Sequence, residues 1–137
     1  MTRDSPVRRI VRDSGGYLWF LTNRGLSRFD GQVFTTFGPD CGLPRTRFTD
    51  FLETTDGILL AGTLDGLYWH DPADPDAHGR FHHLRPAKSG LGKQVLSLTE
   101  DPSGRILCGT GAGVRRLERT PDGWAFVAID IRQPADE

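Results

Sequence analysis

Short apolar runs alternate with glycine-containing polar turns along almost the whole chain. In the stretch GYLWFLTNRGLSRFDG, residues 16–31, one apolar run ends in Thr-Asn-Arg-Gly, a second begins at once, and Asp-Gly ends it. This pattern predicts two short β-strands joined by a tight turn. A lone two-stranded hairpin is barely stable in water, so the pattern also predicts that further strands pack against it.

The same pattern occurs three times, which indicates an internal repeat. Three threonines anchor the alignment, spaced 41 and then 47 residues apart: Thr22, Thr63 and Thr110. One glycine stands three residues after each threonine and another stands six residues before it, both within turn signals. We expect a left-handed backbone at these glycines, which a side chain would strain. They are Gly25, Gly66 and Gly113 after the threonines, and Gly16, Gly57 and Gly104 before them.

Each copy of the repeat divides into four strand-length segments joined by turns. The turns DSGG, TTDG and DPSG join the first two segments of each copy, as tight turns between antiparallel strands require. The six extra residues of the second copy fall in its third turn, DPADPDAHG, where insertions into repeats are tolerated. The predicted strands are 7–11, 17–22, 26–29 and 33–37, then 48–52, 58–63, 67–70 and 80–84, then 95–99, 105–110, 114–117 and 124–129.

A four-stranded antiparallel unit of about 40 to 50 residues that repeats is typical of a β-propeller blade. We therefore predict an all-β chain in which residues 1–137 form one propeller segment, with blades near 5–40, 46–86 and 93–130. A two-sheet sandwich gives no reason for three in-phase copies, and solenoid coils are shorter. Closed propellers have about four to eight blades, so three blades predict an incomplete propeller.

The second strand of each copy is apolar on both faces, as in a sheet packed between two neighbours. We expect equivalent hydrogen bonds from the three threonines and burial of six side chains in or beside these strands. Those six are Leu18, Phe20, Ile58, Leu60, Ile106 and Cys108. Trp19 and Trp69 are expected to pack between blades.

The first copy resembles the two-component regulator propeller repeat, whose pattern is roughly G-x-L-W-I-G-T-x-x-G-L-x-R-Y/F. Its characteristic positions hold Trp19, Thr22, Gly25, Leu26, Arg28 and Phe29. The segments CGLPRTRF and SGLGKQV resemble the linkers between its blades. The resemblance covers about residues 5 to 130. It implies the input domain of a sensor that binds an extracellular cue, often carbohydrate-derived, and passes it to a histidine kinase module.

Composition excludes several function classes. The 17 Lys and Arg residues nearly balance the 18 Asp and Glu residues, so no global charge attracts nucleic acid or an anionic membrane. The longest apolar runs are far shorter than the roughly 20 residues that span a bilayer, and we expect no membrane contact by this segment. The two cysteines, Cys41 and Cys108, fit no metal or redox spacing and are expected to be unrelated thiols rather than a disulfide.

No motif predicts catalysis, a metal or a cofactor. The chain lacks a G-x-S-x-G nucleophile elbow, an H-E-x-x-H zinc pair and a phosphate-binding loop. His78, His82 and His83 map to the third turn and outer strand of the second blade, where histidines usually face water. Asp71, Asp74 and Asp76 lack the order and the distal glutamate of a calcium loop, so they predict a polar turn.

The connections into each blade's first strand are the candidate ligand-binding region, since in propellers they lie on one rim of the central channel. The predicted binding residues there are Arg9, Arg45, Arg47, Asp50, Lys93 and Gln94. Two alternatives stay open. In the first, these residues are ordinary charged loop residues that face water. In the second, the residues that share one repeat position make hydrogen bonds between blades; these are Arg9, Asp50 and Ser97.

The leading hypothesis is a non-enzymatic ligand-sensing or interaction module, either a segment of a larger propeller or one half of a dimeric ring. Its expected partners are further blades in the same chain or a second copy, a carbohydrate-like or other small ligand, and a histidine kinase module if it belongs to a longer protein. The resemblance implies an extracytoplasmic location in a membrane-anchored sensor; a chain complete as given is expected in the cytoplasm. The alternatives are a propeller lyase similar to streptogramin lyases, which use a histidine and magnesium, and a purely structural interaction module.

Overall fold

The computed structural model describes residues 6–84, 94–121 and 123–129, which form three four-stranded antiparallel sheets, each in sequence order. The first sheet contains β1 (Val7–Arg12), β2 (Leu18–Thr22), β3 (Leu26–Phe29) and β4 (Phe34–Phe37). The second contains β5 (Phe48–Glu53), β6 (Leu59–Thr63), β7 (Gly66–His70) and β8 (His82–Leu84). The third contains β9 (Val95–Glu100), β10 (Ile106–Thr110), β11 (Gly113–Thr120) and β12 (Gly123–Ala128).

These three sheets confirm the predicted fold class, an all-β chain of incomplete propeller blades. All twelve predicted strands are present, and apart from the end of β11 each end matches the prediction or differs from it by one or two residues. The largest differences are in β8, which begins at His82 instead of residue 80, and in β11, which continues to Thr120. Within the described residues the helical structure is one 3-10 turn, Pro39–Cys41, in the connection from the first sheet to the second.

The turn glycines adopt the expected backbone at five of six repeat positions. Gly16, Gly57 and Gly104 have φ near +90°, while Gly66 and Gly113 have φ of 116° and 113°. The prediction is wrong for Gly25, which lies outside the left-handed region. The pairing of β2 with β3 stops at Leu21 and Leu26, whereas Thr63 pairs directly with Gly66. The first of these turns is therefore wider and does not require the left-handed glycine.

The sheets pack face to face in chain order, and the core lies in the two contacts between them. We call the face that a sheet turns toward the preceding sheet its leading face, and the opposite one its trailing face. The first contact joins Trp19 and Leu21 on the trailing face of the first sheet to Phe51 and Ala61 on the leading face of the second. The second contact places Leu60 of the second sheet in one buried cluster with residues of the third, including Ile106 and Cys108.

The burial prediction for the second strands is correct in two sheets and wrong in the first. Ile58, Leu60, Ile106 and Cys108 are at most 4% exposed. In the first sheet, Leu18 and Phe20 are only half-buried, because they lie on the leading face, against which no described sheet packs. Trp19 and Leu21, on the opposite face of the same strand, are buried at 2% and 0% exposure.

A close backbone contact ties the connection after β4 to the long third turn of the second sheet. Phe81 N donates a hydrogen bond to Cys41 O at 2.7 Å, and Arg80 Nη1 donates to Asp40 O at 3.2 Å. Gly42, at φ 87°, ends the 3-10 turn, and a Cβ added there would collide with the carbonyl oxygen of Phe81. This contact, which we call the clasp, positions the connection that leads into β5.

Candidate functional site

One rim of the structure is built by repeating backbone contacts. In each sheet a threonine hydroxyl donates to the carbonyl of the turn glycine three residues later, at 2.8–3.1 Å, as predicted. The residue that precedes β5 or β9 accepts a further bond at its carbonyl: Leu64 N donates to Arg47 O, and Gly111 N to Gln94 O, both at 3.2 Å. The turns between second and third strands thus lie beside the segments that enter the first strands.

A cavity of about 420 Å³ opens on this rim, between the β2–β3 turn and the connection into β5. We call it the connection pocket. Its polar lining includes Thr22, Ser27 and Thr36, and its apolar walls come from side chains including Phe37 and Pro39. The full described lining is Thr22, Arg24, Gly25, Leu26, Ser27, Thr36, Phe37, Gly38, Pro39, Pro44 and Arg45.

Two arginines, Arg24 and Arg45, give the connection pocket a positive charge. Both side chains are exposed, and no hydrogen bond or ion pair joins either guanidinium to a described residue. The described lining contains no carboxylate to neutralise them. A pocket with two unpaired guanidinium groups and apolar walls has the chemistry to bind a small anion that also carries an apolar face.

The structure distributes the six predicted binding residues over several places. Arg45 lines the connection pocket, whereas the Nε of Arg47 donates to Asn23 Oδ1 at 3.1 Å, beside the same β2–β3 turn. Gln94 is exposed next to the β10–β11 turn and does not line the pocket. Lys93 lies outside the described residues. Whether these residues bind a ligand stays a prediction.

Arg9 and Asp50 lie in a contact that joins all three sheets. The Nε of Arg9 is 3.3 Å from Asp50 Oδ1, and Leu98 N donates to Asp50 Oδ2 at 2.7 Å. Asp50 is only 8% exposed, and the amide of Phe51 also donates to its Oδ1 at 2.9 Å. These bonds give Arg9 and Asp50 a role in blade packing, as one of the two alternatives expected. The third sheet contributes the amide of Leu98 to this contact, and not the Ser97 side chain that the same alternative included.

Arg24 is the charged residue of the described pocket lining that the sequence did not predict. Arg24 precedes Gly25 in the β2–β3 turn. The repeat motif accounts for the threonine and the glycine of this turn but gives no role to the arginine between them. Its position in the repeat could have indicated a place at the pocket, because the turn between the second and third strands faces the same rim as the connections between sheets. The partnership with Arg45 depends on how the connection folds back, which the repeat pattern does not encode.

A second cavity, of about 230 Å³, lies between the first and second sheets. Arg28 lines it, with its guanidinium carbon 4.4 Å from the centre of the Tyr17 ring and 5.3 Å from that of Phe37. The acidic residues there are already bonded: Asp13 Oδ2 accepts from Trp19 Nε1 at 2.8 Å, and Glu53 accepts from Ser14. The stacked arginine and the paired carboxylates are explained by blade packing.

The histidines and cysteines are spread among separate contacts. His83 stacks on Tyr68 with ring centroids 4.4 Å apart, and the His82 ring lies 4.6 Å from that of Trp69, tilted by 35°. No group of three or more His, Cys, Asp or Glu side chains among the described residues is arranged to hold a metal ion. Cys41 and Cys108 are both free thiols, and burial raises the pKa of Cys108 to about 11. Among the described residues, no helix is long and apolar enough to cross a membrane.

No family model matches the chain, and no curated protein matches it. Among solved structures, the chain is similar to the extracellular domain of a hybrid two-component system from B. thetaiotaomicron, with a TM-score of 0.65 and 24% identity, over 79% of this chain and 15% of that one. It is also similar to the extracellular domain of a second such system from the same organism, with a TM-score of 0.56 and 17% identity, over 100% of this chain and 23% of that one. The chain thus spans less than a quarter of the length of either structure. At these identities the likeness shows the fold: the three sheets are arranged as in the extracellular domains of these two systems.

Proposed function

We propose that this chain is a non-enzymatic ligand-sensing module, part of the propeller input domain of a two-component sensor. The observation that carries the proposal is the connection pocket, which presents Arg24 and Arg45 without a neutralising carboxylate among its described lining residues. The two structural relatives are extracellular domains of such systems, which supports a sensing role and an extracytoplasmic location. A histidine kinase module of a longer protein would receive the signal.

The proposed ligand is a small carbohydrate that carries a carboxylate or sulfate group. Its charged group would accept hydrogen bonds from Arg24 and Arg45, and one apolar face of its ring would lie against Phe37 and the pocket prolines. A cavity of about 420 Å³ has the size typical of small-molecule sites. Neutral sugars of the same size lack the charged group and should bind more weakly.

Calorimetric titration of the purified chain with uronic-acid disaccharides and with their neutral counterparts tests this proposal. We expect binding of the acidic sugars, and a dissociation constant about 10- to 100-fold higher for Arg45→Ala, the effect of removing one charge-assisted hydrogen bond. Arg105→Ala, which removes an exposed arginine from a hairpin of the third sheet, is the matched control and should bind normally. Equal affinity for acidic and neutral sugars, or an unchanged affinity in Arg45→Ala, would refute the role of this pocket.

A further inference from the structure

A guanidinium and two carboxylates line the cavity of about 230 Å³ between the first and second sheets, and the guanidinium makes no ion pair with either carboxylate. We call this cavity the interblade cavity. These groups belong to Arg28 of β3, Asp13 of the β1–β2 turn and Glu53 of β5, and the apolar walls include Phe37 and Phe81. Opposite charges that share a cavity attract each other. The bonds that each group makes elsewhere therefore decide what the cavity can bind.

Arg28 is held by ring stacking that leaves its N–H groups without an acceptor. Its guanidinium carbon lies 4.4 Å from the centre of the Tyr17 ring, 5.3 Å from that of Phe37 and 5.6 Å from that of Trp19. No hydrogen bond or ion pair joins the guanidinium to a described residue, although the side chain is half-buried. Stacking covers the faces of this planar group and leaves free the edges that carry the N–H donors. Blade packing therefore accounts for the position of Arg28, and its donors are open to a ligand carboxylate.

Glu53 keeps unused acceptor positions, whereas those of Asp13 are nearly all occupied. Asp13 accepts three bonds, from two backbone amides of its own hairpin at 2.9 and 3.0 Å and from Trp19 Nε1 at 2.8 Å. Glu53 accepts two bonds, from Ser14 N at 2.8 Å and from Ser14 Oγ at 2.7 Å. A carboxylate offers about four acceptor positions, so about two remain on Glu53. Glu53 can therefore accept hydrogen bonds from a cationic group of a ligand.

The repeat provides an internal comparison for this cavity. Three of its polar positions correspond, by their distance from the repeat threonine, to three apolar positions between the second and third sheets. The pairs are Tyr17 and Ile58, Arg28 and Trp69, and His70 and Leu117. Ile58 and Leu117 are each 4% exposed in one buried cluster, and Trp69 packs against that cluster. Apolar side chains at these positions satisfy blade packing, so packing alone does not require the polar set in the first contact.

We propose that the interblade cavity binds a zwitterionic α-amino acid that carries an apolar or aromatic side chain. Its carboxylate accepts hydrogen bonds from Arg28, its ammonium group donates to Glu53, and its side chain packs against Phe37 and Phe81. The cavity thus offers a guanidinium, a carboxylate and an apolar wall to three substituents of one α-carbon. An apolar protein cavity of about 150 Å³ holds benzene, so a cavity of about 230 Å³ has room for one such amino acid. This inference does not depend on the connection pocket, although Phe37 lines both cavities.

Calorimetric titration of the purified chain with three compounds that share one ring tests which charged groups the cavity requires. The compounds are L-phenylalanine, hydrocinnamate, which lacks the ammonium group, and phenethylamine, which lacks the carboxylate. We expect L-phenylalanine to bind, and each analogue to bind about tenfold more weakly because it loses one charged contact. The absence of saturable binding by L-phenylalanine would overturn the proposal. So would equal affinity for L-phenylalanine and either analogue.

Two variants test the residue assigned to each charge. Glu53→Gln keeps an acceptor for Ser14 and removes the negative charge, so it should weaken binding of L-phenylalanine and phenethylamine about tenfold and leave that of hydrocinnamate unchanged. Arg28→Gln should weaken binding of L-phenylalanine and hydrocinnamate and leave that of phenethylamine unchanged.

Glu100→Gln is the matched control for Glu53→Gln, since Glu100 accepts the equivalent bonds from Thr55 and does not line the interblade cavity. It should bind L-phenylalanine as the wild type does. A merely structural role would change the affinity for all three compounds together, and that result in Glu53→Gln would overturn the proposal, as would an unchanged affinity for L-phenylalanine. The Glu53→Gln result decides the matter even if Arg28→Gln does not fold.

Discussion

At the scale of single residues, burial depends on which neighbour a face has. Leu60 is fully buried between the second and third sheets, and Phe20, the larger side chain, is only half-buried on the free leading face of the first sheet. Both belong to apolar runs that are indistinguishable by composition. The number of faces that a sheet packs, rather than side-chain hydrophobicity, therefore decides how much each residue contributes to stability.

Replacing Leu60 with alanine should lower the free energy of unfolding by about 2–5 kcal/mol, since it leaves a cavity in the second contact. Phe20→Ala is the comparison: it removes more atoms from a half-buried site, yet should cost less under conditions where the chain is monomeric. Chemical denaturation of the two variants beside the wild type measures the difference. A larger loss for Phe20→Ala would mean that the leading face is covered within a single chain.

The sequence predicts some of these single-residue features and not others. The hydrogen bonds of Thr22, Thr63 and Thr110 could be predicted because the threonine and the glycine that it bonds lie three residues apart. The burial of Trp19 and Leu21 in place of Leu18 and Phe20 could not, because a strand that is apolar on both faces does not reveal which face lacks a neighbour. Likewise, Arg24 and Arg45 line one cavity because of how the connection folds, and they are too far apart in sequence for a local motif to predict this.

At the scale of elements, the sheets are joined by a polar contact as well as by the core. Ser14 and Thr55 each present a backbone N–H and a hydroxyl to a glutamate of the next sheet, at 2.7–3.2 Å. The repeat alignment reveals the equivalence once the partners are known, since Ser14 and Thr55 occupy one repeat position and Glu53 and Glu100 another. A sequence without the structure gives no sign that these two positions contact each other.

We expect Glu53→Ala and Glu100→Ala each to reduce the free energy of unfolding by about 1 kcal/mol, the net contribution of a typical hydrogen bond, because exposure to water weakens the charged acceptor. Their effects should add in the double variant, because the two glutamates share no partner. Thermal or urea denaturation provides the measurement, and Asp56→Ala, an exposed acid in the Thr55 hairpin, is the control. Strong non-additivity would indicate that the two contacts form as one cooperative unit.

At the scale of the whole molecule, the three sheets pack in chain order, and among the described residues the second sheet has another sheet on both of its faces. The period of the repeat, its turn glycines and its four apolar segments were sufficient to predict this architecture. They could not specify what packs against the leading face of the first sheet or the trailing face of the third, because an apolar face can be covered by several kinds of partner.

The rate of amide hydrogen exchange should depend on how many neighbouring sheets each sheet has. In repeat architectures each unit is stabilised by its neighbours, so the middle unit opens last. We expect the slowest exchange in β6 and β7, around Ala61 and Leu67, and faster exchange in β1 and β11, measured at a concentration where the chain is monomeric. Uniform exchange across the three sheets would contradict a nearest-neighbour array.

The clasp between the connection and the second sheet has a consequence for protein engineering. Gly42 leaves no room for a Cβ beside the Phe81 carbonyl, and Phe81 N donates to Cys41 O, so the long turn before β8 cannot move without disturbing the chain that enters β5. An epitope tag or fluorophore inserted there would displace that chain, despite the apparent tolerance of a long polar loop. The short turn at Asp30–Gly31 makes no comparable backbone contact with another sheet among the described residues, so it is the better insertion point for a reporter of ligand binding.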